Sequence, residues 1–429
     1  MRILLLASCY PPQPVVGAFR VEKLARAFAR NRHEVFVVAI EDGQPRTPPH
    51  IDGVTVKIVP RHRNPREVII ELRDRLRKMT SSSVGSRNSD SVQKSVELIE
   101  RGWTSRLVLG ALNLPDAEQG VVPALLRGVR EMEDQGPFDL VYSTCPPFST
   151  QIAAMMAAKR LRTPWVSEYR DPWRSNGTSR IARIHPWTDR ADAWLAQRCM
   201  KRAAMVVAVT QSAAEEFHSI RGDDNVICAL NGIQRLHTTR VPRAGQTRLR
   251  IAYAGSLYPP RDPRPILESI ITVSAKSGLP IPEVVFVGDQ EYEGESLEAF
   301  ARRTGFGQHL IAKPWLPQGE VEQLLSSADL LLLPAQGWLR QLPNKLFDYL
   351  GVRVPVLCLA DRSSEPARLL ERVGGHFVCT SLDQLDEVVQ EALRCAPVAG
   401  VVGDTSVLES LLVDRQFGEL VRLVEQRFH

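Results

Sequence analysis

A chain of 429 residues exceeds the roughly 250–300 that one hydrophobic core supports, so two domains are expected. Its 44% hydrophobic, 24% charged and 6% aromatic residues are those of a globular protein and exclude large-scale disorder. The net charge of +5 and a pI near 8.9 permit a local basic surface facing phosphates, acidic lipid or nucleic acid, without choosing among them.

The opening Met1–Tyr10 sets a basic residue before a short apolar run that goes straight into Pro11-Pro12. That run is too short for a signal peptide and reads as a buried first strand, Ile3–Cys9. A Pro/Gly-rich loop, Tyr10–Ala18, a helix, Arg20–Arg30, and a strand, Val35–Ile40, follow. From about Arg61 to Pro123 the alternation breaks into basic helical pieces, Glu67–Lys78, and a Ser-rich stretch, Thr80–Ser91, which reads as an insertion. Strands at Asp139–Ser143, Trp165–Glu168 and Met205–Thr210 alternate with helices at Thr150–Arg160 and Ser212–Ser219.

The pattern then restarts. Strands at Arg250–Ala254, Val284–Gly288, Ile311–Trp315, Leu330–Leu333 and Val356–Leu359 alternate with helices at Pro265–Ser274, Glu295–Arg303, Glu320–Ala328 and from Lys345 to Leu350. Apolar strands alternating with helices mean parallel sheets covered on both faces. The fold class is therefore α/β, with two doubly wound, Rossmann-like domains. The expected boundaries are 1–235 for the N-terminal domain, with its basic insertion at about 61–123, 236–249 for a linker, 250–405 for the C-terminal domain and 406–429 for a last helix. No stretch approaches the ~20 apolar residues of a membrane-spanning helix.

The seven cysteines are scattered and contain no C-x-x-C pair, as expected of reduced thiols in a cytoplasmic protein. No Asp-x-Asp pair suggests a bound metal.

Ligands of open α/β sheets bind beyond the carboxyl ends of strands, which directs attention to four loops. In the first, Gly17 precedes a helix and lets a ligand approach its N-terminal N–H groups, or it merely permits a turn. In the second, Glu168, Arg170 and Asp171 follow a strand. Three charges there face a ligand or one another, a structural Arg–Asp pair being the plainer reading. In the third, Gly255 and Ser256 precede Arg261, a combination suited to a diphosphate, although a solvated surface arginine is equally written this way. In the fourth, Lys345 and Asp348 share one face of a helical turn beside Leu346, fitting a phosphate and the vicinal hydroxyls of a ribose, or an exposed ion pair.

The Tyr10-Pro11-Pro12 loop, Glu168-Tyr-Arg170-Asp171-Pro-Trp173, Asn231-Gly232-Ile233, Tyr253-Ala-Gly255-Ser256-Leu, Phe286-Val-Gly288-Asp289 and Lys345-Leu-Phe-Asp348-Tyr-Leu-Gly351 stand in an order and spacing that resembles the family 4 glycosyltransferases. The resemblance covers nearly the whole chain except the insertion. It implies a GT-B fold, two domains facing across a cleft, and a retaining enzyme without a metal or other cofactor. It places a nucleotide-sugar donor on the C-terminal domain and an acceptor of unknown identity on the N-terminal domain. The family's glycine-rich loop falls on Gly17, its diphosphate-binding cation on Arg261 and its ribose carboxylate on Asp348. This chain departs from the family in carrying Asp348 where Glu is usual and Arg340 where the first acid of a Glu-x7-Glu pair would stand.

The expected donor site is Gly17, Gly255, Ser256, Arg261, Lys345, Leu346 and Asp348, and the expected catalytic groups are Glu168, Arg170, Asp171, Arg261 and Lys345. Arg61, Arg63, Arg66, Arg73, Arg75, Arg77 and Lys78 are interleaved with Val68, Ile69, Ile70, Leu72 and Leu76, a pattern that fits a solvated helix, contact with the acceptor, or peripheral contact with an anionic membrane at its inner face. The cations lack interleaved aromatics in any nucleic-acid module, so no nucleic-acid partner is expected. Two alternatives remain open: another GT-B enzyme such as a nucleotide-sugar epimerase, or a degenerate nucleotide-sugar binding protein.

Overall fold

The computed structural model describes residues 1–44, 46–69, 71, 102–174, 181–240 and 248–428. The chain divides into two compact units, Met1–Ala229 with Phe417–His429, and Leu230–Gln416.

In the first unit, strands β1 (Arg2–Leu6), β2 (Glu34–Ile40), β3 (Val54–Val59), β4 (Leu140–Cys145), β5 (Trp165–Tyr169), β6 (Met205–Ala208) and β7 (Val226–Cys228) lie in the order β3-β2-β1-β4-β5-β6-β7. Every pairing is parallel. Ile3 to Leu6 are wholly buried, because helices cover both faces of a parallel sheet. Each such side chain contributes roughly 1.5–3 kcal/mol on burial. The helices are α1 (Val16–Arg30), α2 (Trp103–Ala111), α3 (Val121–Met132), α4 (Ser149–Leu161), α5 (Pro186–Arg202) and α6 (Gln211–Arg221).

In the second unit, β8 (Arg250–Ala254), β9 (Glu283–Val287), the hairpin β10 (Glu291–Tyr292) and β11 (Glu295–Ser296), β12 (Leu310–Lys313), β13 (Leu330–Ala335), β14 (Val356–Ala360) and β15 (Phe377–Cys379) include a six-stranded sheet in the order β12-β9-β8-β13-β14-β15. It too is parallel throughout. Along β8 the strand period of two sends Ile251 and Tyr253 into one apolar cluster and Ala252 into another, so the sheet separates two cores. Its helices are α7 (Arg264–Ser277), α8 (Leu297–Arg303), α9 (Gln318–Ser327), α10 (Asn344–Val352), α11 (Glu365–Val373), α12 (Leu385–Cys395) and α13 (Thr405–Ser410). A last helix, α14 (Val413–Phe428), follows, and its residues from Phe417 onward belong with the first unit.

Several boundaries differ from the sequence expectation. Helix α1 starts at Val16, directly after extended Val15, so Gly17 lies inside its first turn. The single last helix is two, α13 and α14, interrupted at Leu411–Leu412, where the backbone pairs with Ile233: Ile233 N donates to Leu411 O at 2.7 Å and Val413 N to Ile233 O at 2.9 Å. The second unit begins at Leu230, ahead of the expected linker. His237 N donates to Gly351 O at 2.9 Å, and Arg240 donates to the Ala328 and Ala399 carbonyls at 2.7 and 2.6 Å, tying this stretch to α9, α10 and the end of α12. Pro242 and Gly245 of the linker, and residues 70 and 72–101 of the insertion, lie outside the described residues.

Candidate functional site

In the second unit the strand order reverses between β8 and β13, and the loops leaving these two neighbours carry the charged residues expected there. Gly255 follows β8 with φ of 124°, a conformation L side chains rarely adopt, and a Cβ at that position would stand 2.5 Å from Lys345 Nζ. The loop is fixed by Tyr253, whose hydroxyl donates to Ser256 O at 2.7 Å and whose ring lies 3.8 Å below Lys345 Nζ. Arg261 is only 5% exposed. Its guanidinium lies over the rings of Trp338, at 3.1 Å, and Tyr258, at 3.8 Å, and its Nη2 donates to the Tyr258 hydroxyl.

Among the described residues, neither cation is bonded to a carboxylate. Lys345 is half-buried as a residue, but its ammonium is sealed from solvent and lacks an acceptor among them, as does the Arg261 Nε. Burial, reinforced by the nearby Arg261 charge and opposed by Asp348, pushes the Lys345 amine down to about 7. Burial also lowers Arg261, although an arginine stays charged. Beside them the Gln336 amide nitrogen donates to Asp262 O at 2.8 Å, leaving its buried oxygen unpaired. Helix α10 opens at Asn344 with no side-chain cap and no acid in its first turn, so no side chain caps its positive dipole end beside Lys345. Two desolvated cations, a bare helix N-terminus and a close-approach glycine form a site that is costly without an anion and suited to one.

The structure brings Gly255, Arg261 and Lys345 together, with Ser256 in the same loop and Asp348 one turn along α10. Leu346 does not join them. It is fully buried in the apolar cluster under β13, and its N–H donates to Pro343 O, so it offers a ligand no polar group.

In the first unit Glu168 is not presented at the strand end. Its carboxylate is wholly buried and accepts from Arg20 Nε at 3.0 Å and Nη2 at 2.9 Å, from the Thr144 hydroxyl at 2.6 Å and from Tyr142 at 2.9 Å. Burial alone would raise this carboxyl, but Arg20 and the two hydroxyls hold it below the usual range. Arg20 also donates to Ala229 O and lies over Phe417, so the pair binds β5 to the end of α14.

Arg170 turns the other way. It donates to the carbonyls of Cys145, at 3.2 Å, and Pro146, and its Nη1, without an acceptor, fills the space a Cβ on Gly17 would need. Gly17 thus pairs with Arg170 at the sheet's own switch point between β1 and β4, in the other unit from Gly255. Asp171, half-buried, follows it.

The sequence reading missed Arg20, Tyr258 and Trp338. Arg20 had a signal, since it falls on the apolar face of α1 with Val21, Leu24 and Phe28. The aromatic pair around Arg261 had none, because Trp338 comes from a loop 77 residues later (338 − 261).

Two parallel, doubly wound sheets, each with charged loops at its switch point, define the GT-B class of glycosyltransferases. Solved structures share the fold over the full chain. Sucrose-phosphate synthase from Thermosynechococcus elongatus aligns with a TM-score of 0.61 at 13% identity, covering 99% of this chain and 100% of that one. The apo lipopolysaccharide outer core galactosyltransferase WaaB aligns at 0.61 and 12%, covering 100% of both. HepE of Anabaena in complex with UDP aligns at 0.55 and 14%, covering 100% of this chain and 96% of that one. No curated protein sequence matches. Residues 17–231 match the glycosyl transferase 4-like domain, and the chain belongs to that family of glycosyltransferases.

Proposed function

We propose that this glycosyltransferase takes its sugar from a nucleoside-diphosphate sugar and transfers it, with retention, to a hydroxyl of its acceptor. The observation that carries this reading is the pair of buried, uncompensated cations, Arg261 and Lys345, beside Gly255 and the N-terminus of α10. A pyrophosphate there satisfies both cations, and the ribose hydroxyls meet Asp348. HepE has been solved with UDP and with UDP-glucose, which supports a nucleotide-sugar donor here.

The departing diphosphate gains charge as the bond from sugar C1 to phosphate oxygen breaks. Fixed cations and a helix dipole stabilise that charge without reorganising, and they do so without a metal. The acceptor oxygen bonds C1 from the same face, and its proton passes to the leaving phosphate oxygen. Arg170, with its free Nη1, and Asp171 orient the acceptor, while Glu168 acts at one remove by holding Arg20 and the end of β5. A cavity of about 210 Å³ lined by Tyr10, Gln13, Glu41, Asp42 and Arg46, beyond β1 and β2, offers polar groups for acceptor hydroxyls.

A cytoplasmic site of action is supported by the seven cysteines, all free thiols. No helix among the described residues is long and apolar enough to cross a membrane. Peripheral contact with an anionic membrane remains part of the proposal, but the basic run is a weak carrier for it. Arg61 is paired with Glu67 and Glu118 at 2.8 and 3.1 Å and Arg63 with Glu71 at 2.5 Å, while Arg73, Arg75, Arg77 and Lys78 lie outside the described residues.

The test is release of nucleoside diphosphate from the donor that most stabilises the protein in a thermal-shift panel. Arg261→Ala and Lys345→Ala should each lower the rate by about 10²-fold or more without lowering the melting temperature. Wild-type rates in both variants would remove the assignment.

A further inference from the structure

Helices α2 and α5 of the first unit share one outer surface. They meet where Gly110 of α2 approaches Thr188 of α5 so closely that a Cβ would stand 2.5 Å from the Thr188 hydroxyl, and Arg106 fixes the approach by donating to Ile184 O at 3.0 Å. On that surface Trp103, Trp187 and Trp194 are 56%, 59% and 57% exposed, against 2% and 1% for Trp165 and Trp173 in the core. Trp165 and Trp173 donate their indole N–H groups to Ser143 and Asp192, whereas the three surface indoles donate to no acceptor among the described residues. Trp103 and Trp187 stand 6.2 Å apart, edge to face, around His185.

The exposed positions of α5 carry this further. Residues 187, 190, 194, 198 and 201 follow the three-to-four spacing of one helix face and read Trp, Arg, Trp, Arg, Lys. Arg198 lies 5.1 Å over the Trp194 ring, and among the described residues none of Arg190, Arg198 and Lys201 takes part in an ion pair. Helix α2 carries no acid, and of the two on α5 Asp192 is buried while Asp189, its side chain 41% exposed, is bonded to Arg174 at 2.8 Å. Indoles interleaved with long cations, free of neutralising carboxylates, match the headgroup layer of a membrane. Amphipathic rings settle there, and Lys and Arg reach lipid phosphates. The core of a protein interface, by contrast, is depleted of such charge.

We propose that the α2–α5 face docks this protein on an anionic lipid bilayer, with Trp103, Trp187 and Trp194 seated among the headgroups and Arg190, Arg198 and Lys201 paired with lipid phosphates. The inference does not rest on the transfer chemistry, because this face and the diphosphate site lie in different units.

Cosedimentation with sucrose-loaded vesicles tests it. The wild-type protein pellets with vesicles of equal parts phosphatidylglycerol and phosphatidylcholine, pellets weakly with phosphatidylcholine alone, and is released as salt rises. The double variant Trp187→Ser/Trp194→Ser binds the anionic vesicles at least about tenfold more weakly. Arg190→Gln/Arg198→Gln weakens binding by about fivefold for each cation lost. Both variants keep the wild-type melting temperature and the wild-type stabilisation by nucleoside diphosphate, a readout of the other unit.

Three outcomes overturn the proposal: a wild-type protein that stays in the supernatant with anionic vesicles, variants that bind them as the wild type does, or a dimer in light scattering that the tryptophan variant dissolves. The last would assign the face to a second copy of the chain. A diphosphate site that fails its own test leaves the vesicle result standing, and the reverse holds equally.

Discussion

An ammonium sealed over an aromatic ring without an acceptor is costly to keep charged, and Lys345 is in that position above Tyr253. With its amine near 7 in the folded chain and near ~10.4 when unfolded, the native state holds fewer protons than the unfolded one between those values. Stability from this group therefore rises with pH across that window, and its full cost is felt below pH ~7. Lys345→Met should raise the calorimetric melting temperature at pH 6 and change it much less at pH 9. A lower melting temperature at both would mean that the lysine supports the fold instead. Glu168 is the opposite case. Its depressed carboxyl stabilises the fold above the unfolded value of ~4.3 and loses that contribution as pH falls through the lower folded value. Glu168→Ala strands the buried Arg20 and should cost about 3–5 kcal/mol in urea denaturation, well beyond what a surface carboxylate would show.

In the proposed donor site, the loop after β8 depends on one residue that has no side chain. Gly255→Ala imposes a strained φ and drives a methyl into the Lys345 ammonium, so nucleotide-induced stabilisation should vanish. Gly278→Ala, equally left-handed at the end of α7 but with nothing within 4 Å, should lower stability by about 1 kcal/mol and leave binding intact. If both variants still responded to nucleotide, the close approach of Lys345 to this loop would have no role in binding.

The place of this loop, and of Arg261 and Lys345 near the carboxyl ends of neighbouring strands, was legible in the sequence, because apolar runs such as Ile251–Tyr253 and Leu330–Leu333 mark the buried strands. Less was legible at the sheet edges. The outer strand β3 is half-buried, and β15 has only three residues, too few to show a period. Glu168 was misplaced for a different reason. A run of three charges at a strand end says nothing about Arg20, which lies 148 residues earlier and is brought there only by the β1–β4–β5 order of the sheet. Leu346 was included for its neighbours, although a helix that puts Lys345 on one face turns the next residue toward the core.

The molecule repeats one plan twice: a parallel sheet, a reversal of strand order beside its first strand, and a guanidinium with one buried nitrogen lacking an acceptor at each reversal, Arg170 in one unit and Arg261 in the other. Family membership establishes glycosyl transfer, and in the proposed function the anion site of the second unit would tie that activity to a diphosphate donor. Calorimetric titration with UDP, ADP and GDP near pH 8, in buffers of different ionisation enthalpy, tests that link. The tightest of the three should bind the wild-type protein with proton uptake, since a bound diphosphate raises the Lys345 amine from about 7. Arg261→Ala should bind it at least about tenfold more weakly, and Lys345→Met should lose the proton uptake along with the affinity. Equal affinity in all three proteins, with the same proton balance, would contradict the account.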